Sequence, residues 1–300
     1  MRGQRGAAVL LALFVATLAT LLVSGLFYRQ FVVLRTIENE QLAAQSRALL
    51  RGALDWSRAI LRGNTQNKSV MFDGLDEPWA QPLAEMRLDT LGASSALAAQ
   101  ATLSGGMEDA EGRLNLANLI QNGEIVPREL EALRRLAALM QLPPATADLI
   151  AARLVASATA ADSPRPLPLL LPGDIAAIPG LSADAAGKLA PYLVILEAPT
   201  TVNVNTAPAE VLAARIEGLD LSRARALVAT RERLGHFNNL GDFRNHAGGI
   251  NFDERDLAIR SNHFLVRGQI RLDRATTRME ALVKRDSNNT ARVLWHRELP

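Results

Sequence analysis

Ala7 to Tyr28 reads AAVLLALFVATLATLLVSGLFY, 22 residues with no acidic or basic side chain before Arg29. At about 1.5 Å per residue this makes a helix of roughly 33 Å, enough to cross a bilayer core of about 30 Å. Only MRGQRG precedes it, with Arg2 and Arg5. A cleaved secretory signal has an apolar run of about 7–15 residues and then a small-residue cleavage site. Here Ala/Leu/Arg/Glu/Gln-rich sequence continues without proline to Leu61, with Gly25 and Gly52 as its only glycines. The pattern predicts one helix of about 55 residues that starts in lipid and ends in water. Leu34, Ile37, Gln41, Gln45, Ala48, Gly52, Trp56 and Ala59 recur at spacings of three and four, flanked by Leu42, Leu49, Ala53 and Ile60. One apolar face is therefore expected to continue into the soluble part, with Trp56 pinning its far end against a globular domain. A bitopic anchor with a helical stalk fits the same features.

The 300 residues suffice for one large or two modest domains beside the anchor. Aromatics are 4% of the chain, so the core is expected to rest on Leu, Ala, Val and Ile. The 33 Lys and Arg face 31 Asp and Glu, and losing Arg2 and Arg5 with a leader equalises the counts. Such a balance is not that of a protein living on phosphate backbones. The absence of cysteine excludes disulfides and thiol chemistry. Arg2 and Arg5 favour a cytoplasmic N-terminus, with Arg29 and Arg35 acting against that asymmetry.

Residues 62–69, RGNTQNKS, read as a loop, and the Pro/Gly-rich segment from Asp73 to Pro82 reads as an ordered crossing with Trp79 as its plug. Short strand-like pieces follow at Pro82–Leu88 and Leu97–Leu103. In Glu108 to Leu119, Leu114 and Leu116 alternate with Arg113 and Asn115 as a strand, and Asn118 turns the chain. Candidate helices are Arg128–Met140, Ala145–Ala156, Gly173–Ile178, Ala183–Leu196, Pro208–Glu217, Ser222–Leu234 and Leu240–His246. The four prolines of 162–172 make that stretch a strap. A loose repeat of helix–hairpin–helix shape recurs at 130–154, 174–193 and 210–231. In the last unit Thr206 suits an N-cap. Asn203 and Asn205, on one side of an extended segment, are expected to bind backbone where two subdomains meet. The tail alternates in three runs: Phe264, Val266, Ile270 and Leu272; Thr277, Met279, Ala281 and Val283; Ala291, Val293 and Trp295. These predict a three-stranded meander whose apolar face is covered by the N-terminal helix.

Residues 1–30 resemble the leader and membrane helix of type IV pilins and type II secretion pseudopilins. The resemblance implies cleavage by a prepilin peptidase after Gly6 and methylation of the new N-terminus, Ala7. Most members carry glutamate at the fifth mature position, here Leu11. A carboxylate at that depth costs about 2.5–3.5 kcal/mol, tolerated in the family by pairing with a neighbour's N-terminal amine. A subunit without it is suited to be first in a filament. That feature, the segment around Asn115 and Asn118, and the motif at Asn203, Asn205 and Thr206 are similar to the K branch of minor pseudopilins.

The resemblance implies an α+β fold: a long N-terminal transmembrane helix packed on an antiparallel sheet, with a large all-α, helix-hairpin-helix-like insertion. The expected division is a leader 1–6, a membrane part 7–28, a periplasmic helix 29–62, a first α/β part 63–116, a helical insertion 117–260 and terminal strands 261–300. The implied role is a protein at the tip of the periplasmic pseudopilus, initiating its assembly for secretion of folded proteins. The implied partners are minor pseudopilins I and J, the major pseudopilin, the prepilin peptidase and the inner-membrane secretion platform. The implied location is the bacterial inner membrane, single-pass, with the C-terminal part periplasmic.

Three other chemistries compete. Helix–hairpin–helix units bind DNA through backbone N–H groups at a Gly-x-Gly turn. Gly180-Leu-Ser and Gly218-Leu-Asp lack the second glycine, and Asp220 repels phosphate; DNA uptake is the alternative reading, and no nucleic acid is expected. Glu108, Asp109 and Glu111 are hard oxygen donors, and calcium takes six to eight such ligands. The family's calcium loop corresponds to 162–172, where Asp162 is the sole acid. No cofactor is expected, with calcium carried as an alternative on Glu108, Asp109 and Glu111. No motif for an activated nucleophile, a zinc protease or a phosphate loop occurs, and His236, His246, His263 and His296 lack metal spacing, so no enzyme is expected. His236 reads as a dipole partner at a helix end.

Overall fold

The computed structural model describes residues 4–66, 72–91, 98–159, 166–286 and 290–299. A single helix, α1 (Gln4–Gln66), runs for 63 residues. It outlasts the expected end at Leu61: Arg62–Gln66, expected in the loop 62–69, stay helical; residues 67–69 lie outside the described residues. The expected leader segment at 1–3 also lies outside them. Every residue from Ala7 to Ile37 is exposed.

The soluble half of α1 lies on a five-stranded antiparallel sheet. Its strands are β1 (Leu83–Arg87), β2 (Ala101–Asp109) and, much later in the chain, His263–Leu272, Ala275–Arg285 and Ala291–Leu299. The chain leaves β2 at Asp109 and makes β3 (Leu114–Asn115), β4 (Ile120–Gln121) and β5 (Glu124–Ile125). The helices α2 (Pro127–Leu139), α3 (Ala145–Thr159) and α4 (Ala183–Leu189) follow, then β6 (Leu193–Val194), β7 (Val202–Asn203), α5 (Ala209–Arg215), α6 (Leu221–Leu234), α7 (Leu240–His246) and β8 (Leu257–Ala258). The late strands of the large sheet are then β9, β10 and β11, and its order is β1-β2-β9-β10-β11. Neighbouring β2 and β9 thus bracket the whole helical region, pairing from Ala101↔Leu272 to Asp109↔Phe264.

Leu50, Leu54 and Leu61 of α1 are buried against Phe264, Val266, Ile270, Leu272, Met279, Ala281 and Val283, the face alternation predicts. The seam is rotated from the predicted one. Ser46, Leu50, Leu54, Ser57 and Leu61 are buried, whereas Trp56 stays 46% exposed. The two stripes run on opposite sides of one helix, and the leucine-bearing one buries more apolar surface against the sheet. Gly268 on β9 makes this approach possible, since a Cβ there would lie 3.3 Å from Leu50 Cδ2. Trp79 is the plug expected: it is buried, donates from Nε1 to Glu77 (2.8 Å) and meets Phe264 edge-on at 5.0 Å.

Alternation fails at one place. Leu282 faces Trp295 but Val283 faces Val293, so Leu294 is an extra residue and β11 bulges. Ala291 and Val293 therefore pack under α1, while Trp295 turns to the opposite face with Leu294, Leu265, Leu282, Val194 and Leu196. The sheet is thus partly covered on both faces, not one.

The helical region has its own core, with Leu133, Leu136, Ile150, Ile175, Leu189, Val211, Leu212 and Phe237 fully buried. Leucine, alanine, valine and isoleucine fill it as the composition requires, with Phe237 and Phe243 meeting edge-on at 5.2 Å. The expected helix Ala183–Leu196 stops at Leu189, because Pro191 forces a 3-10 turn at Ala190–Tyr192 and the chain then extends into β6. The expected helix at 173–178 is a 3-10 helix, Pro172–Ala177. The expected strand through Leu116 ends at Asn115, and Leu116–Leu119 is 3-10. The piece expected at Leu97–Leu103 starts at Ala101 and runs to Asp109; Leu97 lies outside the described residues.

Candidate functional site

Two regions stand out. The first is the bare half of α1, whose mean hydropathy reaches 2.5 over its best window. Two of its hydroxyls are satisfied within the helix: Thr17 donates to Phe14 O and Thr20 to Ala16 O, each at 2.8 Å. Gly6 and Ala7 lie in its first turns and Leu11 is exposed on its surface. At that depth the rod presents no carboxylate.

The second region is a buried polar junction where the sheet, the Trp79 crossing and the helical region meet. Asn203 closes β7 and spans all three. Its Nδ2 donates to Asp73 O (3.0 Å), Asp109 Oδ2 (2.9 Å) and Ser261 Oγ (2.9 Å). Its Oδ1 accepts from Asn205 N at 2.9 Å. Asn205 points elsewhere, exchanging both its amide groups with the backbone of Phe237 at 2.8 and 3.0 Å. The two asparagines therefore do not share a side, because the chain turns after Asn203. Arg231 donates from Nη1 to Val204 O and Ala207 O (2.9 and 2.7 Å), fixing this turn from α6. Burial brings that guanidinium down to about 10.

Asp109 is the hub. Beside Asn203 it accepts from Thr206 Oγ1 (2.5 Å), Ser261 Oγ (2.6 Å) and Glu111 N (2.7 Å). Burial nevertheless pushes its pKa up to about 6, and the Glu111 carboxylate adds to this. Glu111 itself accepts from Asn262 N and lies 2.6 Å from His263 Nδ1. Asp73 pairs with Arg285 at 2.5 Å, and the Arg285 guanidinium lies over Phe264. Thr206 is thus no N-cap: Asp109 takes its hydroxyl, and Pro208 precedes α5 without a side-chain bond. Asn115 rather than Asn118 caps the following turn, accepting from Ala117 N at 3.1 Å, and it also accepts from Leu196 N at 3.1 Å. Asn118 bonds both backbone groups of Thr200 (2.8 and 3.0 Å).

The three acids considered for calcium diverge. Glu108 pairs with Arg113 and Arg267 at the surface, Asp109 faces the hydroxyls, and Glu111 faces His263. Glu108 and Asp109 end β2. Among the described residues no three acids or histidines are gathered as a metal cluster. The hairpin turns are also committed internally. Asp220 caps α6 by accepting from Arg223 N (2.9 Å) and Ser182 caps α4 by accepting from Ala185 N (3.1 Å), so each helix N-terminus is already occupied. His236 stacks on Phe72 at 3.4 Å and lies 3.1 Å from Asp76, a tie between the crossing and the end of α6.

Sequence reasoning singled out the asparagines but missed Asp73, Ser261, His263 and Arg285. Ser261 and His263 sit in the polar run 260–263 and Arg285 in the run 284–286, so nothing local singles them out, and only the topology assembles them with Asp73.

Comparison with known proteins places this arrangement. The family model for type II secretion system protein K matches residues 202–267, which begin at the Asn203 motif and end in β9. A Pseudomonas aeruginosa protein, type II secretion system protein K, is 26% identical over 318 aligned residues, covering 98% of this chain and 92% of that one. A chain in the crystal structure of the GspK-GspI-GspJ complex from the enterotoxigenic Escherichia coli type 2 secretion system shares the fold. It has a TM-score of 0.69 at 20% identity, over 88% of this chain and 99% of that chain.

Proposed function

We infer that the chain belongs to the protein K family of the type II secretion system, and on that premise we propose that it is a minor pseudopilin at the tip of the periplasmic pseudopilus. The observation that carries this reading is α1 itself. One continuous helix has an apolar half free of any internal partner and a second half buried as part of the folded domain. Removing such a helix would strip the cover from the sheet, so it is retained as an assembly handle. In this reading Gly6 precedes the processing cut, Ala7 becomes the methylated N-terminus, and the C-terminal part faces the periplasm. The partners are the minor pseudopilins I and J, the major pseudopilin, the prepilin peptidase and the inner-membrane platform. The role is to initiate and cap the filament through contacts alone, with no catalysis.

The helical region brackets into the sheet between β2 and β9 and gives the subunit a bulk that suits an end position. The buried junction serves this role by holding that bulk rigidly on the handle. Leu11 explains the end position from the other side: a subunit without a buried carboxylate has nothing to offer a neighbour's terminal amine above it. Leu11→Glu, at a cost of about 2.5–3.5 kcal/mol when unpaired in lipid, is expected to place some copies inside the filament shaft. Immunogold labelling of overproduced pseudopili checks this; labelling confined to the ends in both proteins contradicts the role given to Leu11.

A further inference from the structure

The proline strap of the helical region is a motif that the assembly role leaves without a task. Its described part runs over 166–172, between α3 and α4. Leu167 is 81% exposed, the highest value for a large apolar side chain among the described residues, the membrane half of α1 included. Leu170 is 68% exposed, whereas Leu169 is buried in the core of the helical region and Pro166 and Pro172 are half-buried. Burial thus recurs every third residue, the period of a polyproline II strand, which prolines at 166, 168 and 172 favour. With a rise of about 3.1 Å per residue, the two outward leucines stand about 9 Å apart on one ridge. The ridge is held by its neighbours. Arg153 of α3 donates to Leu167 O, and Asp174 accepts from Leu170 N (2.8 Å) and Leu171 N (2.9 Å). A single exposed leucine is ordinary; two on one held ridge form an apolar patch that marks a contact. The strap also walls a cleft of about 570 Å³ whose floor is Leu265, Leu282 and Trp295, on the face of the sheet opposite α1.

We propose that the strap is a recognition ridge for an aromatic-lined groove on a different periplasmic protein, whose rings pack over Leu167 and Leu170 and reach the cleft beside Trp295. The inference rests on the periplasmic placement in the proposed function, and adds to it a surface and a partner chemistry. Side chains rather than backbone make the contact, because the three prolines have no N–H and Asp174 has taken those of Leu170 and Leu171. Strand addition needs a row of free backbone groups; a preformed polyproline II ridge instead docks between aromatic rings at little entropic cost. The cleft agrees with an aromatic guest. Arg113, Arg267 and Arg297 line it, and each is already paired with Glu108 or Glu280, so it does not call for an acidic one. The flat faces of those guanidiniums and the half-buried Trp295 ring suit a ring. Lipid headgroups do not reach this height. Arg58 donates to Ala291 O and Arg47 pairs with Glu298, so Trp295 stands level with residues 47–58 of α1, roughly 28–45 Å beyond Tyr28. Nor does a second copy supply the groove: among the described residues beyond Ile37, the sole exposed Phe, Tyr or Trp is Trp56.

The test uses the full-length protein in cells that carry the complete secretion system. The photo-cross-linking residue benzoylphenylalanine replaces Leu167 or, as a control, Leu234, a 49% exposed leucine at the end of α6. The expected result is an adduct at position 167, at a yield at least about tenfold above the control, whose linked peptide belongs to another protein and carries aromatic side chains at the link. Leu170→Ser is expected to lower that yield about tenfold, the scale of losing an interface anchor. Pro168→Gly, which loosens the ridge and keeps both leucines, is expected to lower it about threefold. Both positions are exposed, so thermal melting is expected to stay unchanged. A linked peptide from this chain or without aromatic residues, a lipid adduct, equal yields at the two positions, no adduct, or full yield in either variant overturns the ridge. The chain has no cysteine, so a membrane-impermeant maleimide on Leu167→Cys in intact spheroplasts reports periplasmic placement cleanly. Labelling is expected. Its absence overturns both the ridge and the placement it rests on; labelling without an aromatic-bearing adduct overturns the ridge alone.

Discussion

Asp109 sits at the centre of the junction with four donors around it, yet its carboxyl titrates near 6 instead of at its ordinary 3.8, because burial outweighs those donors and Glu111 adds repulsion. An acid whose pKa is raised by folding contributes stability that is complete below the unfolded pKa and is lost as pH rises through the folded one. The window is therefore pH 4 to 6, and the loss across it is about 3 kcal/mol for a shift of this size. Glu38, lowered by its hydrogen bond from Arg274, and Glu280, lowered by Arg297 and Arg267 despite burial, act in the opposite sense and only below about pH 4.5. Urea unfolding of the detergent-solubilised chain is expected to show this decline between pH 4 and 6.5, and Asp109→Asn is expected to flatten it. An unchanged slope in Asp109→Asn would place the titration elsewhere. At this scale the sequence revealed Asn203 and Asn205 because two asparagines one residue apart in an extended, proline-bounded segment are unusual. It hid what they bind, since Asp73, Ser261 and Arg285 are spread over more than two hundred residues.

Elements were legible where one local rule decides them. Proline-free, alternating and capped stretches gave α1, α2, α6, α7 and the meander close to their observed bounds. The two hairpins share a turn that glycine makes possible. Leu181 N donates to Ile178 O and Leu219 N to Ile216 O, with Gly180 and Gly218 at φ of +87° and +78°. A Cβ on Gly218 meets nothing within 4 Å, so Gly218→Ala isolates backbone strain and is expected to cost about 1–2 kcal/mol. Gly187, inside α4 with equal space around it, is expected to move the other way on change to alanine, by roughly 0.5–1 kcal/mol. Opposite shifts in melting temperature check the pair; shifts of the same sign would show that packing and not backbone freedom governs these hairpins. Elements were misread where two signals conflicted. Helical periodicity through Pro191 overran the proline, the bulge at Leu294 turned Trp295 over, and two stripes on α1 competed for the same sheet.

At the scale of the molecule, one helix does two jobs with two halves. The buried leucines from Leu50 to Leu61 make it part of the fold, and the apolar span from Ala7 to Ile37 is exposed, which in the proposed function is the assembly handle. The fold class was legible because that span and the alternating tail are long, strong patterns that nothing in between contradicts. The way the helical region is bolted to the sheet was not, because it depends on contacts between residues far apart in sequence. The central claim is that the apolar rod stays with the mature protein. Intact-mass and N-terminal peptide mass spectrometry on the membrane-extracted protein tests it most directly. The expected N-terminus is Ala7, carrying a methyl group, in the membrane fraction; an N-terminus at Met1, or a soluble form cut near residue 25, would contradict it.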